Sequence, residues 1–196
     1  MGKLVISSSA TLDGVVQDPD GEEGSDFGGW FHRSVDPEDL DAWSTRETAE
    51  LLAADAVLLG RRTSEWFAAR MRPNDGAETR VSPEWATRMT TIPKYVVTST
   101  LADPHWPNAT LLTGDAAQQI ATLKQTVDGE ILIYGSYHLI QTLLTHNLLD
   151  ELRLVVFPAV AGTGHRLFTT PTTPHLLTTQ KLGTNLVFTT YKLTHN

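Results

Sequence analysis

The chain has 196 residues, 40% of them hydrophobic and 19% charged, the make-up of an ordinary soluble globular protein, and a single domain over residues 1–196 is expected. A formal charge of −8 argues against a general nucleic-acid surface and against an anionic-membrane binder, so any phosphate has to find a local basic pocket. The absence of cysteine excludes disulfides, thiolate metal sites and cysteine nucleophiles.

The first strand is expected from Lys3 to Ser9. Its apolar start, Lys3-Leu4-Val5-Ile6, is too short for a signal-peptide core, and no later run reaches membrane-spanning length, so a cytoplasmic protein is expected. Ala10-Thr11-Leu12-Asp13-Gly14-Val15-Val16 follows, with Asp-Gly as a turn before the chain extends again. From Asp18-Pro19-Asp20-Gly21 to Ser34 the chain reads as a glycine-rich, acidic loop. Its aromatics Phe27, Trp30 and Phe31 either tack the loop to the core or wall a ligand cleft. Asp36-Pro37-Glu38-Asp39 opens a helix, with Asp as N-cap, Pro at the first position and acids in the first turn. At about 100° per residue, Leu40, Trp43, Leu51 and Ala54 share one face, and Glu47 falls in its middle. A carboxylate facing a core needs partners, and burial tends to raise its pKa.

Asp55 to Leu59 is a buried strand that runs into Gly60-Arg61-Arg62-Thr63, where Thr63 is expected to cap a helix reaching about Met71. An irregular loop follows to about Pro83, and Ser82-Pro83-Glu84-Trp85 opens a short helix. Lys94 to Thr100 is a strand ending in three hydroxyls, and Thr110 to Thr113 a shorter one. Asp115 caps a helix from Ala116 to about Val127. Glu130 to Tyr134 is another buried strand, ending in Gly135-Ser136, with Ser136 as cap of a helix bearing Leu139, Ile140, Leu143 and Leu144. Glu151 to Val160 is a strand, Gly162 to Phe168 a glycine-hinged loop, and His175–Leu182 with Leu186–Leu193 a hairpin around Gly183-Thr184-Asn185. Mostly alternating strands and helices imply a parallel sheet with an antiparallel hairpin at one edge. That hairpin carries apolar residues on both faces, so a homodimer is expected.

Three of the strands end in small, polar or basic residues, namely Gly60-Arg61-Arg62-Thr63, Thr98-Ser99-Thr100 and Gly135-Ser136. Ligands of open α/β sheets sit outside the carboxyl ends of the strands. Two of these ends also open helices, whose N-terminal dipoles suit a diphosphate. Arg61 and Arg62 add planar cationic forks, and Arg61 with Ser99 suits a further phosphate, such as the 2′-phosphate that separates NADP from NAD. The G-x-G-x-x-G fingerprint is absent, so this is not an ordinary Rossmann site. The seven histidines show no pair at the spacing of a local metal motif, and no metal is expected. Ser136 with His138 is the pair a serine hydrolase would need, but no G-x-S-x-G elbow surrounds Ser136, which is more simply a helix cap.

Ala10-Thr11-Leu12-Asp13-Gly14, Leu58-Leu59-Gly60-Arg61-Arg62-Thr63, Lys94-Tyr95-Val96-Val97-Thr98-Ser99, Ile133-Tyr134-Gly135-Ser136, Leu149-Asp150-Glu151-Leu152-Arg153-Leu154 and Gly162-Thr163-Gly164-His165-Arg166-Leu167-Phe168 occur in this order. In this sequence of motifs the chain resembles the dihydrofolate reductase-like superfamily, in the branch of the C-terminal reductase domain of the bifunctional riboflavin-biosynthesis deaminase/reductase. The resemblance implies a three-layer α/β fold, with a central mostly parallel sheet flanked by helices and a C-terminal antiparallel hairpin. It also implies NADPH as cofactor. Gly60, Arg61 and Thr63 would approach its phosphates, with Arg61 and Ser99 near the 2′-phosphate, and Arg62 and Thr98 are further cofactor-binding candidates. Gly135, Ser136 and Leu139 would line the diphosphate side, and Ala10 to Val15 would lie against the nicotinamide. Hydride would pass to a small pterin- or pyrimidine-like heterocycle or a sugar-derived substrate. Glu47 is the preferred acid, Asp13 the second, and Trp30, Phe31 and Trp43 are candidate substrate walls. Leu51 stands where a dihydrofolate reductase would carry an aromatic residue, which argues against a folate substrate. The zinc pattern of the deaminase domain is missing. The alternative is a catalytically silent nucleotide-binding or ligand-sensing module on the same fold.

Overall fold

The structure is a computed structural model that describes residues 1–71, 82–104 and 106–194; most of the loop expected before Pro83 lies outside the described residues. In chain order the elements are β1 (Lys3–Thr11), α1 (Trp30–Arg33), α2 (Pro37–Ala53), β2 (Ala56–Gly60), α3 (Arg61–Arg70), α4 (Pro83–Thr91), β3 (Lys94–Val97), β4 (Ala109–Leu112), α5 (Ala116–Thr126), β5 (Glu130–Tyr134), α6 (Tyr137–Thr145), β6 (Glu151–Phe157), β7 (His175–Leu182) and β8 (Leu186–Lys192). Strand order in the sheet is β4-β3-β2-β5-β1-β6-β8-β7. This is the expected architecture of a mostly parallel sheet ending in an antiparallel hairpin. The contacts divide the chain into two compact units, Met1–Ile6 with Ser44–Asp150 and Ser7–Trp43 with Glu151–Thr194.

In the first unit, β2 pairs in parallel with β3 and β5, and β3 with β4, in a register that sets Leu59 opposite Val96 and Leu58 opposite Ile133. Val57, Leu58 and Leu59, like Ile131, Leu132 and Ile133, are fully buried. Parallel strands covered on both faces read as continuous apolar runs for this reason. Against them pack Leu51 and Ala54 of the α2 end and Trp85, Met89 and Ile92 from α4 and its C-cap.

The first residue of β3 does not fit that apolar pattern. Lys94 is fully buried. Its Nζ donates to the carbonyls of Met89 and Ile92 at 2.8 Å each and to Thr90 at 3.4 Å, and it lies 4.6 Å from the centroid of the Trp106 ring. A cation here meets the open carbonyls and the negative dipole end of α4. Burial pushes its pKa down to about 8. Replacing Lys94 with methionine is expected to cost about 2–4 kcal/mol, because carbonyls are left without a donor. Between about 8 and the ordinary value of 10.5 the unfolded chain holds the proton and the folded chain has released it. Stability therefore climbs with pH across that window and is flat below it. Urea midpoints of both proteins from pH 7 to 10.5 check this; the same pH dependence in both would count against a titrating buried amine.

In the second unit, β6 pairs antiparallel with β8, and β8 with β7, so that Val155 faces Phe188 and Leu182 faces Leu186 around the hairpin turn. Trp30, Val155, Phe157, Leu182, Leu186 and Phe188 form its core. Asp39, in the first turn of α2, is fully buried. Its carboxylate accepts from the backbone N–H groups of Thr184 (2.7 Å) and Asn185 (2.9 Å) and from Asn185 Nδ2 (2.9 Å). Burial works to raise its pKa, but the Asn185 and Thr184 donors outweigh it and hold the carboxyl below the ordinary value. Gly183 sits at φ +54°, and an added Cβ would come within 2.9 Å of the Asp39 Cα, so the turn admits only glycine.

Several boundaries differ from expectation. β1 continues to Thr11 rather than ending at Ser9, and β6 stops at Phe157, since Pro158 has no N–H for the ladder. The loop expected up to Ser34 contains the short helix α1, anchored by Trp30. α3 starts at Arg61 with Gly60 as N-cap, so Thr63 is not its cap. Ser136 does occupy the N-cap position of α6, but its side chain makes no capping bond there.

Candidate functional site

The two misjudged caps turn out to be one feature. Ser136 Oγ accepts from Gly60 N–H at 2.8 Å, and Thr63 Oγ1 accepts from Ser136 N–H at 3.0 Å. The end of β2 and the end of β5, adjacent parallel strands, are thereby latched to each other at the points where α3 and α6 begin. Gly135 has φ +50°, and an added Cβ would stand 3.2 Å from the Thr63 side chain, so the latch leaves little room for a larger residue.

The N-cap of α3, Gly60, has no side chain, and the Ser136 hydroxyl at the N-cap of α6 is taken by Gly60 N–H, so neither helix has a side-chain cap, whereas α4 and α5 are capped by Ser82 and Asp115. Two neighbouring helix starts with first-turn N–H groups unmet by a capping side chain make a concentrated anion site. Gly60, Thr63, Gly135 and Ser136 are therefore brought together, with Leu139 buried one turn into α6. Arg61 is exposed and its guanidinium donates to Thr100 Oγ1 at 3.3 Å, which puts it at the end of β3 beside exposed Ser99. Arg62 is exposed as well. The Thr98 hydroxyl accepts from the N–H groups of Thr100 (3.2 Å) and Leu101 (3.0 Å) and so shapes the strand end. A phosphate-rich cofactor suits this donor set of two helix N-termini and an exposed arginine fork.

In the second unit, Ala10 and Val15 are buried, and the Asp13 carboxylate is tied to the loop after β6. Asp13 accepts from Thr11 Oγ1 at 2.6 Å and from the N–H groups of Ala161 (3.1 Å) and Gly162 (2.8 Å). The Thr11 hydroxyl first, then these amides, hold its pKa down at about 2. Asp13 is thus an anion at neutral pH, without a proton to give. Trp30, Phe31 and Trp43 gather around Phe157. Phe31 lies 4.8 Å from Trp43 and 4.7 Å from Phe157 between ring centroids, and Trp30 lies 5.5 Å from Phe157. Trp30 is buried and donates Nε1–H to the Gln17 carbonyl at 2.9 Å, so it is a core residue of this unit; Phe31 and Trp43 are half-buried. On α2, one turn after Trp43, Glu47 is only 7% exposed, the inward orientation that its place on the helix face implies.

Residues 2–188 match the family of RibD C-terminal domains. The chain belongs to this family. Among solved structures, a putative riboflavin biosynthesis protein from Shewanella sp. PV-4 superposes with a TM-score of 0.70 at 20% identity, covering 98% of this chain and 99% of that one. A pyrimidine reductase-like protein from Corynebacterium diphtheriae superposes with a TM-score of 0.58 at 13% identity, covering 99% and 92%. These likenesses establish the dihydrofolate reductase-like fold of RibD C-terminal domains. The uncharacterized protein YyaP of Bacillus subtilis is 25% identical over 166 residues, 85% of this chain and 80% of that protein. Among the described residues no helix is long and apolar enough to cross a membrane.

Within this member of the family, sequence reasoning missed the structural carboxylates. Asp18 read as a turn residue, yet it is buried at φ +51° and its carboxylate accepts from the N–H groups of Glu23 and Ser25 at 2.9 Å each. Asp-Pro in a glycine-rich segment was the one available signal, since Asp tolerates this backbone conformation and bonds forward to nearby amides.

Proposed function

We propose that the protein is an NADPH-dependent reductase acting on a small heterocycle, of pyrimidine type in preference to pterin, or on a sugar-derived compound. The observation that carries the reading is the pair of uncapped helix starts latched through Gly60, Thr63 and Ser136, in a chain of the RibD C-terminal domain family. Relatives of this fold described as riboflavin biosynthesis and pyrimidine reductase-like proteins favour the pyrimidine. In this reading the α3 and α6 starts hold the diphosphate, and Arg61 with Ser99 the 2′-phosphate. NADPH supplies the hydride when bound. Glu47, buried on the inward face of α2, is the side chain assigned the delivery of the proton that the reduced substrate takes up.

Titration of the purified protein with NADPH and with NADH tests the proposal. Tight NADPH binding and weak NADH binding support it, and a screen of pyrimidine and pterin substrates then follows. Binding of neither dinucleotide overturns it, whereas binding without turnover on any substrate class leaves the silent nucleotide-binding module.

A further inference from the structure

The start of α3 is fastened from outside the helix. Thr63 Oγ1 accepts from Ser136 N–H at 3.0 Å, and the next residue, Ser64, lies about 100° further round the helix. Ser64 is fully buried, and its hydroxyl accepts from Trp106 Nε1–H at 3.3 Å. Trp106 comes from the loop between β3 and β4, where Ala102, Asp103, Pro107 and Asn108 are exposed. Its ring face lies over the Lys94 ammonium, 4.6 Å from the centroid, and with Phe67 and Met71 it packs against the core of the first unit. Contacts on face and edge together fix the orientation of an indole. The same loop meets α3 a second time, where Thr100 Oγ1 accepts from Arg61 at 3.3 Å. Arg61 and Ser64 stand three apart, on one face of the first turn. Phenylalanine would serve the packing and the contact with Lys94 equally; what tryptophan adds is the bond to Ser64.

We infer that Trp106 is a positioning residue, whose indole N–H holds Ser64, and with it the first turn of α3, in place beside the start of α6. β2, which feeds α3, lies between β3 and β5 in the sheet. Thr63 fastens the turn from the β5 side and Ser64 from the β3 side, so the turn is held from two directions. A local capping side chain would occupy N–H groups of the first turn; fastening from outside leaves them open to an anion. The benefit to a dinucleotide diphosphate rests on the reductase reading; the fastening itself does not.

Trp106→Phe keeps a ring over Lys94 and removes the N–H, and Ser64→Ala removes the acceptor. Each is expected to weaken NADPH and NADH by the same factor, about 3- to 10-fold, the worth of one hydrogen bond. The double variant is expected to bind no more weakly than either single one. Equal losses separate this role from that of Arg61, whose removal is expected to affect NADPH alone. In the unliganded proteins, amide exchange at Glu65, Trp66 and Phe67 is expected to quicken about threefold or more, while Leu58 of β2 and Ile133 of β5 keep their wild-type rates. Unchanged affinities, a loss confined to NADPH, additive losses in the double variant, unchanged exchange in α3, or equal quickening at Leu58 and Ile133 each overturn the inference. Should Trp106→Phe not fold, Ser64→Ala is read by the same two measurements. If the wild type binds neither dinucleotide, the reductase reading falls, and exchange in the unliganded proteins still decides whether Trp106 holds the turn.

Discussion

Glu47→Gln is expected to lower turnover about 100-fold or more, the usual contribution of a positioned general acid, while NADPH affinity stays within about twofold. Glutamine fills nearly the same volume, so the inward face of α2 keeps its shape. What it lacks is a transferable proton. Glu47 is the carboxyl of α2 that combines deep burial with a place in the middle of the apolar face. The measurement is NADPH oxidation with a pyrimidine that the wild type turns over, beside a binding titration on each protein. Turnover within threefold of the wild type would remove Glu47 from the chemistry.

The second large effect concerns discrimination between the cofactors. Arg61→Ala is expected to weaken NADPH binding about 10- to 100-fold, or about 1.5–3 kcal/mol, the range of a charge-assisted bond to phosphate. NADH binding should not change, because the 2′-phosphate is the group the arginine would meet. The side chain is exposed and donates to Thr100 Oγ1 at 3.3 Å, so its removal leaves the fold intact. Fluorescence titrations with both dinucleotides decide the matter. Equal losses for NADPH and NADH would place Arg61 on the diphosphate instead, and no loss for either would take it out of the site.

Much of this molecule was readable from local chemistry. The strand runs at 56–60 and 130–134, the proline-led starts of α2 and α4 and the Asp115 cap depend on neighbours a few residues away, and these stand where the sequence places them. So does the inward face of Glu47, since helical periodicity is a local property. What escaped depends on distant partners. Thr63 and Ser136 have the chemistry of caps, and only the adjacency of β2 and β5 shows that their hydroxyls are spent across gaps of 73 and 76 residues. Lys94 opens a strand like any surface lysine, and its burial follows from the end of α4 lying over it. Asp39 looks like a first-turn acid until the β7–β8 turn, about 145 residues on, presents its amides. Asp13 read equally as a turn former and as an acid; its amide partners at 161 and 162, far along the chain, join the Thr11 hydroxyl in lowering its pKa.

The latch between the two helix starts also constrains how this protein can diverge. Because Gly60, Thr63, Gly135 and Ser136 satisfy or crowd one another, the effect of changing one depends on the identity of the others, and contacting residues of this kind show interaction energies of about 0.5–3 kcal/mol. In a combinatorial library randomised at these four positions, survivors should therefore appear as matched sets rather than as independent tolerances. A chain that puts a Cβ at position 135 has reason to shrink residue 63, whose side chain that atom would approach to 3.2 Å. Epistasis at the cradle would be written in pairs that stand far apart in the sequence and side by side in the sheet.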